Sequence, residues 1–171
     1  EIENKKSKFD FSLAQIVNEK ENKDMPSTTS LDEKLSDVIG YTKYSFFDNK
    51  ASIHYHYALD QNYKDLNYNE LETKIDLNPI KFDFGFLQEK KHIGSQEYFK
   101  TKIEFSKDKN TIMSFKTKRN LISNSSEYYD LSYEYLNDCL RAGLVYRREF
   151  YSDSEIEPEN SLMFKITLTP F

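Results

Sequence analysis

A chain of 171 residues with a formal net charge of −5 is long enough for one complete fold, and its interspersed charges exclude the basic stripe of a nucleic-acid binder. No run approaches the roughly 18 consecutive apolar residues of a membrane helix. A mean hydropathy of −0.80 ordinarily marks a soluble protein, yet it does not exclude a transmembrane barrel, in whose strands every second residue faces a polar lumen. With 13 Tyr and 13 Phe against 4 Gly and 4 Pro, the composition leans toward strands, where aromatic residues are enriched. The chain starts at Glu1 without an apolar leader, which reads as a mature product or a fragment.

Period two dominates the chain from one end to the other. Ala51, Ile53, Tyr55, Tyr57 and Leu59 alternate with Ser52, His54, His56 and Ala58. Leu71, Thr73, Ile75 and Leu77 oppose Glu70, Glu72, Lys74 and Asp76, and Ile80, Phe82, Phe84 and Phe86 oppose Lys81, Asp83 and Gly85. Further on, Phe99, Thr101, Ile103 and Phe105 share a face, then Tyr129, Leu131, Tyr133 and Tyr135, and finally Leu162, Phe164, Ile166 and Leu168. Such alternation predicts strands with one apolar and one polar side, because a helix would scatter these residues round its circumference. The spacing gives about ten strands of roughly ten residues each, the length a tilted strand needs to cross a bilayer. They run over 7–17, 37–47, 50–59, 67–77, 80–90, 97–106, 111–119, 127–137, 140–151 and 161–169. The expected fold class is all-β, an antiparallel up-and-down meander forming part of a transmembrane β-barrel, with residues 1–171 as a single and incomplete domain.

The connections carry a second signal. Asp48-Asn49, Asn78-Pro79, Lys107 to Asn110, and the neighbourhood of Asp138 read as tight turns, and longer loops at 18–36, 60–66, 91–96, 120–126 and 152–160 fall between them. Short and long connections are expected to alternate throughout, as the short periplasmic turns and longer external loops of an outer-membrane barrel do. The polar 18–36 stretch, with Pro26, reads as a loop rather than a linker.

The last third of the chain resembles the end of the LptD/OstA family of outer-membrane lipopolysaccharide-assembly proteins. The resemblance rests on Ser125–Tyr151, with its Asn137-Asp138-Cys139-Leu140-Arg141 block and basic aromatic strand, and on Asp153–Phe171, a Glu-Pro loop followed by an alternating strand. Upstream, Met25–Asp37 and Tyr57–Glu70 are also similar to the family's alphaproteobacterial branch. The resemblance implies the closing strands of a larger barrel in the bacterial outer membrane. Its function would be lipopolysaccharide transport and insertion, without catalysis. The partners implied are lipopolysaccharide, outer-membrane lipid, an LptE-like plug lipoprotein, periplasmic lipopolysaccharide-bridge proteins and the barrel-assembly machinery.

By the same resemblance Cys139 forms a disulfide to a periplasmic domain outside this chain, in an oxidising compartment, and Leu162, Phe164, Ile166, Leu168 and Pro170 lie on the strand bordering a lateral gate. Arg141, Arg147 and Arg148, with Lys100 and Lys102, are candidate contacts to lipopolysaccharide phosphates, since guanidinium forks suit phosphate. His54 and His56 have a spacing that can chelate a metal, but the remaining histidine, His92, falls in a loop, so no metal or cofactor is expected. No G-x-S-x-G elbow is present, and nothing nominates a catalytic set. A generic outer-membrane porin or receptor barrel and a soluble β-meander binding protein stand as the alternatives. The Cys139 block separates the first from the proposed family, and loop alternation separates the second.

Overall fold

A computed structural model describes residues 2–4, 7–25, 27, 30–91, 94–137, 139–150 and 159–168; within 2–4 only the backbone is described. Among the described residues, eleven strands hydrogen-bond in sequence order into one sheet. They are β1 (Ile2–Asn4), β2 (Ser7–Ala14), β3 (Val38–Phe46), β4 (Ala51–Leu59), β5 (Leu66–Leu77), β6 (Ile80–Glu89), β7 (Gln96–Ser106), β8 (Thr111–Asn120), β9 (Ser125–Leu136), β10 (Leu140–Glu149) and β11 (Asn160–Leu168). The ten long strands are those expected from the alternation. β1, which the sequence did not suggest, is a three-residue stub paired with Ser7–Phe9. The order is linear, and among the described residues β11 has β10 as its strand partner.

The chain divides into two compact units, Glu1–Thr73 with Gly85–Tyr98, and Lys74–Phe84 with Phe99–Phe171. In the first, β2 stops at Ala14 rather than at 17. Beyond it the chain makes an irregular arm in which Val17 bridges Leu35, and Asn18 N donates to Lys34 O at 2.8 Å. The arm is held by side chains as well. Asn18 Nδ2 donates to Leu31 O and Glu33 O, and the Ser36 hydroxyl accepts from Ile16 N at 2.9 Å. Loop polar groups thereby satisfy one another where no ladder is available. Near the same end of these strands, Gly40 has a close-packing role. A Cβ placed there would lie 2.0 Å from Tyr57 Cζ, so the Tyr57 ring lies across bare backbone where any side chain would displace it.

In the second unit β8 to β11 form continuous ladders, broken by a register shift between Lys118 and Arg119. That ladder corrects one expectation. The connection at 121–124 is no longer than the turn at 107–110, so the strict alternation of short and long connections fails there. The reason is local. The Asn120 side chain accepts from the backbone N–H of Ile122 and Ser123, and Asn124 takes a left-handed φ of 51°, a conformation Asn tolerates better than most residues. The polar run 120–126 therefore closes a tight hairpin rather than making a long loop.

Candidate functional surface

The two sides of β8–β11 carry opposite chemistry, and the register fixes which residue stands on which. Met113, Phe115, Leu131, Tyr133, Tyr135, Leu144, Tyr146, Leu162, Phe164, Ile166 and Leu168 are between 38% and 75% exposed. Cross-strand partners share a side. Met113 faces Tyr133 and Phe115 faces Leu131, Leu144 pairs with Tyr133 and with Phe164, and Tyr146 faces Leu162, so these residues make one apolar surface.

On the other side Ser114, Asp130 and Ser132 are buried. The hydroxyls of Ser114 and Ser132 meet at 2.6 Å. Arg147 grips Asp130 with both prongs, Nε donating to Oδ1 at 2.7 Å and Nη2 to Oδ2 at 2.8 Å. Its guanidinium also reaches Glu149 and lies 5.0 Å from the Tyr128 ring. Arg141 donates to Glu134 across the same β9–β10 pair, and a small cleft of 110 Å³ opens beside them against Gly143, Val145, Lys165 and Thr167.

The first unit shows the same division. Phe9, Phe11 and Leu13 stand opposite Tyr44, Thr42 and Gly40, which in turn oppose Ile53, Tyr55 and Tyr57. Phe11, Leu13, Tyr44 and Ile53 of this apolar side are exposed, whereas Ser45 on the reverse side is buried. A soluble fold hides most of its large apolar side chains; an exposed apolar surface of this extent marks an interaction surface.

The residues singled out from the sequence separate on this frame. The three arginines do not converge. Arg141 and Arg147 lie on the polar side, already paired with carboxylates. Arg148, in the next register position, is exposed on the apolar side with its guanidinium 4.9 Å from the Phe150 ring. That ring packs edge-on against Tyr129 at 5.2 Å, and Tyr129 stacks on Phe115. Lys102 pairs with Glu104. Leu162, Phe164, Ile166 and Leu168 all stand on the apolar side of β11, and Pro170 lies outside the described residues. Cys139 is a half-buried free thiol immediately before β10, in a connection closed by Asn137 N donating to Leu140 O at 2.7 Å.

His54 and His56 flank Tyr41 on the polar side of β4, with ring centroids 6.4 and 4.6 Å from it, and His92 lies outside the described residues. Among the described residues no three His, Cys, Asp or Glu side chains converge as a metal-binding group. Asp130, Ser114 and Ser132 were not singled out from the sequence. Their signal was the cross-strand match of Asp130 with Arg147, legible only once the register is known. Neither the family models nor the curated proteins contain a match to this chain.

Proposed function

We propose that this chain forms the closing strands of an outer-membrane barrel of the LptD/OstA kind, which moves lipopolysaccharide to the cell surface without catalysing a reaction. The observation that carries the reading is the inversion of the sheet, with large apolar side chains exposed on one side while Asp130, Ser114 and Ser132 are buried on the other. Such a surface suits lipid on its apolar side and a hydrated lumen on its polar side, and it counts against a soluble β-meander. The step from membrane barrel to lipopolysaccharide rests on the resemblance of Ser125–Phe171 to the end of that family.

In this role the apolar rows meet acyl chains, and the paired charges Arg147–Asp130 and Arg141–Glu134 line a wet interior without presenting a net field. The resemblance would make Cys139 the attachment point of a bridge to a periplasmic domain. The test is depletion of the protein in its bacterial host, followed by surface labelling of newly made lipopolysaccharide. Loss of surface lipopolysaccharide, with accumulation at the inner membrane, is the expected result. Unchanged surface delivery alongside altered solute uptake would transfer the chain to the generic porin class.

A further inference from the structure

We propose that the β3–β4 turn docks the headgroup of a zwitterionic phospholipid, an inference that rests on the apolar side of the sheet facing lipid. The site is a groove of 460 Å³ lined by Ser7, Tyr44, Phe46, Phe47, Asp48 and Lys50. The register places Ser7 opposite Phe46 and Phe9 opposite Tyr44, so the groove opens on the apolar side of β2 and β3, at the end of the strands where the turn begins.

Three rings lead out of the apolar row to the turn. Tyr44 stacks on Phe46 with centroids 5.3 Å apart, and Phe46 meets Phe47 edge-on at 5.0 Å. Phe47 is 68% exposed and, like Asp48 and Asn49 after it, has a left-handed φ, the three values being 53°, 54° and 64°. A bulky residue rarely adopts that conformation. Here it presents an aromatic ring outward at the border of the apolar band, where amphipathic and aromatic groups collect in membrane proteins. Beside the rings stand one carboxylate, Asp48, and one ammonium, Lys50, both exposed and neither ion-paired among the described residues. An anionic headgroup would satisfy Lys50 and meet Asp48 as a like charge, and a cationic one would do the reverse. A phosphate joined to an ammonium satisfies both, with Lys50 against the phosphate and Asp48 against the headgroup nitrogen, while the rings take the glycerol and upper acyl region.

The chain contains no Trp, so a single introduced Trp is a clean reporter. Phe47→Trp reports the groove, Phe46→Trp serves should the turn reject the larger ring, and Phe164→Trp reports the apolar row elsewhere. The full chain is reconstituted in phosphatidylglycerol vesicles containing a minor fraction of chain-brominated lipid, which quenches Trp on contact. Brominated phosphatidylethanolamine should quench Phe47→Trp about twofold more than brominated phosphatidylglycerol at the same fraction, the scale of one solvent-exposed ion pair. Phe164→Trp should not distinguish them, and Asp48→Ala should abolish the preference. Equal quenching by the two lipids at the groove overturns the proposal. Quenching of Phe47→Trp by aqueous iodide, with Phe164→Trp still shielded, overturns it too while leaving the membrane reading intact. Iodide quenching of both reporters removes the membrane reading and the proposal together.

Discussion

The apolar and polar sides of β8–β11 are built from the same four strands, one residue apart, yet they solve opposite problems. On the apolar side the aliphatic and aromatic rows need no polar partner, so Leu144, Phe164 and Tyr133 stand next to one another and expose much of their surface. On the polar side the groups are held in specific pairs, as with Ser114 and Ser132 or Asp130 and Arg147. The lesson is that specificity lies on the side a soluble protein would leave to water. On the proposed reading the other side meets lipid, which accepts any apolar shape. A buried carboxylate accepts only a partner with matching geometry.

The comparison breaks most severely if a charge can be moved across it. A charge at Phe164 or Phe84 should prevent stable membrane assembly, because a charge on a lipid-facing side costs about 2–4 kcal/mol at mid-bilayer. The reverse changes, Lys165→Glu or Asp83→Lys, should be tolerated. The fraction of each variant that resists urea extraction from membranes measures this, and equal tolerance on the two sides would remove the inversion as a functional signal.

A smaller effect sharpens the polar side. Asp130→Ala strands the Arg147 guanidinium against Tyr128 with only the longer contact to Glu149, and hydrogen bonds to charged groups contribute about 1.5–3 kcal/mol. The urea midpoint of the membrane-extracted protein should fall accordingly, and Arg147→Met should restore part of the loss by removing the unpaired charge. Additive losses would mean the two side chains act independently.

The smallest effect lies outside the strands. In the 107–110 turn, Asn110 N donates to Asp108 Oδ1 at 2.8 Å and, ahead of its other influences, holds that carboxyl below its ordinary value. A carboxyl depressed by folding adds stability that is fully present above the unfolded value of about 3.9 and is lost as pH falls through the lower folded value. Asp108→Asn keeps an acceptor for the same N–H but resembles the protonated carboxyl, so it should be slightly less stable at neutral pH and match the unsubstituted chain below the folded value, flattening the acid response. An identical loss of stability on acidification in the two proteins would show that this turn contributes nothing to the pH response.

Much of this architecture was legible from period two alone. Runs such as Phe82-Asp83-Phe84 and Leu162–Leu168 leave no competing helical reading, and each became a strand within a few residues of the expected bounds. Connections were less legible. A polar stretch such as 120–126 looks the same whether it makes a loop or a tight hairpin, and only the hydrogen bonds of Asn120 distinguish the two. The arm after Ala14 likewise depends on Asn18 and Ser36 finding backbone partners far along the chain. The candidate site was half legible. Alternation identifies the apolar side, but pairing on the polar side depends on register, which a lone strand does not encode. The groove at Phe47 was hidden because Asp48-Asn49 announces a turn without announcing which way its neighbouring ring points.

The contact of Tyr57 with Gly40 gives this sheet a history with a direction. With 2.0 Å between Tyr57 Cζ and any added Cβ, position 40 cannot gain a side chain unless the Tyr57 ring swings aside and gives up its packing on the backbone. A smaller residue at 57 removes the obstacle and leaves a bare backbone strip, which a side chain at 40 can then cover. Descendants of this chain can therefore change 57 before 40, and the opposite order passes through a less stable intermediate. Pairs of this kind make tolerated substitutions depend on the path by which they arrive.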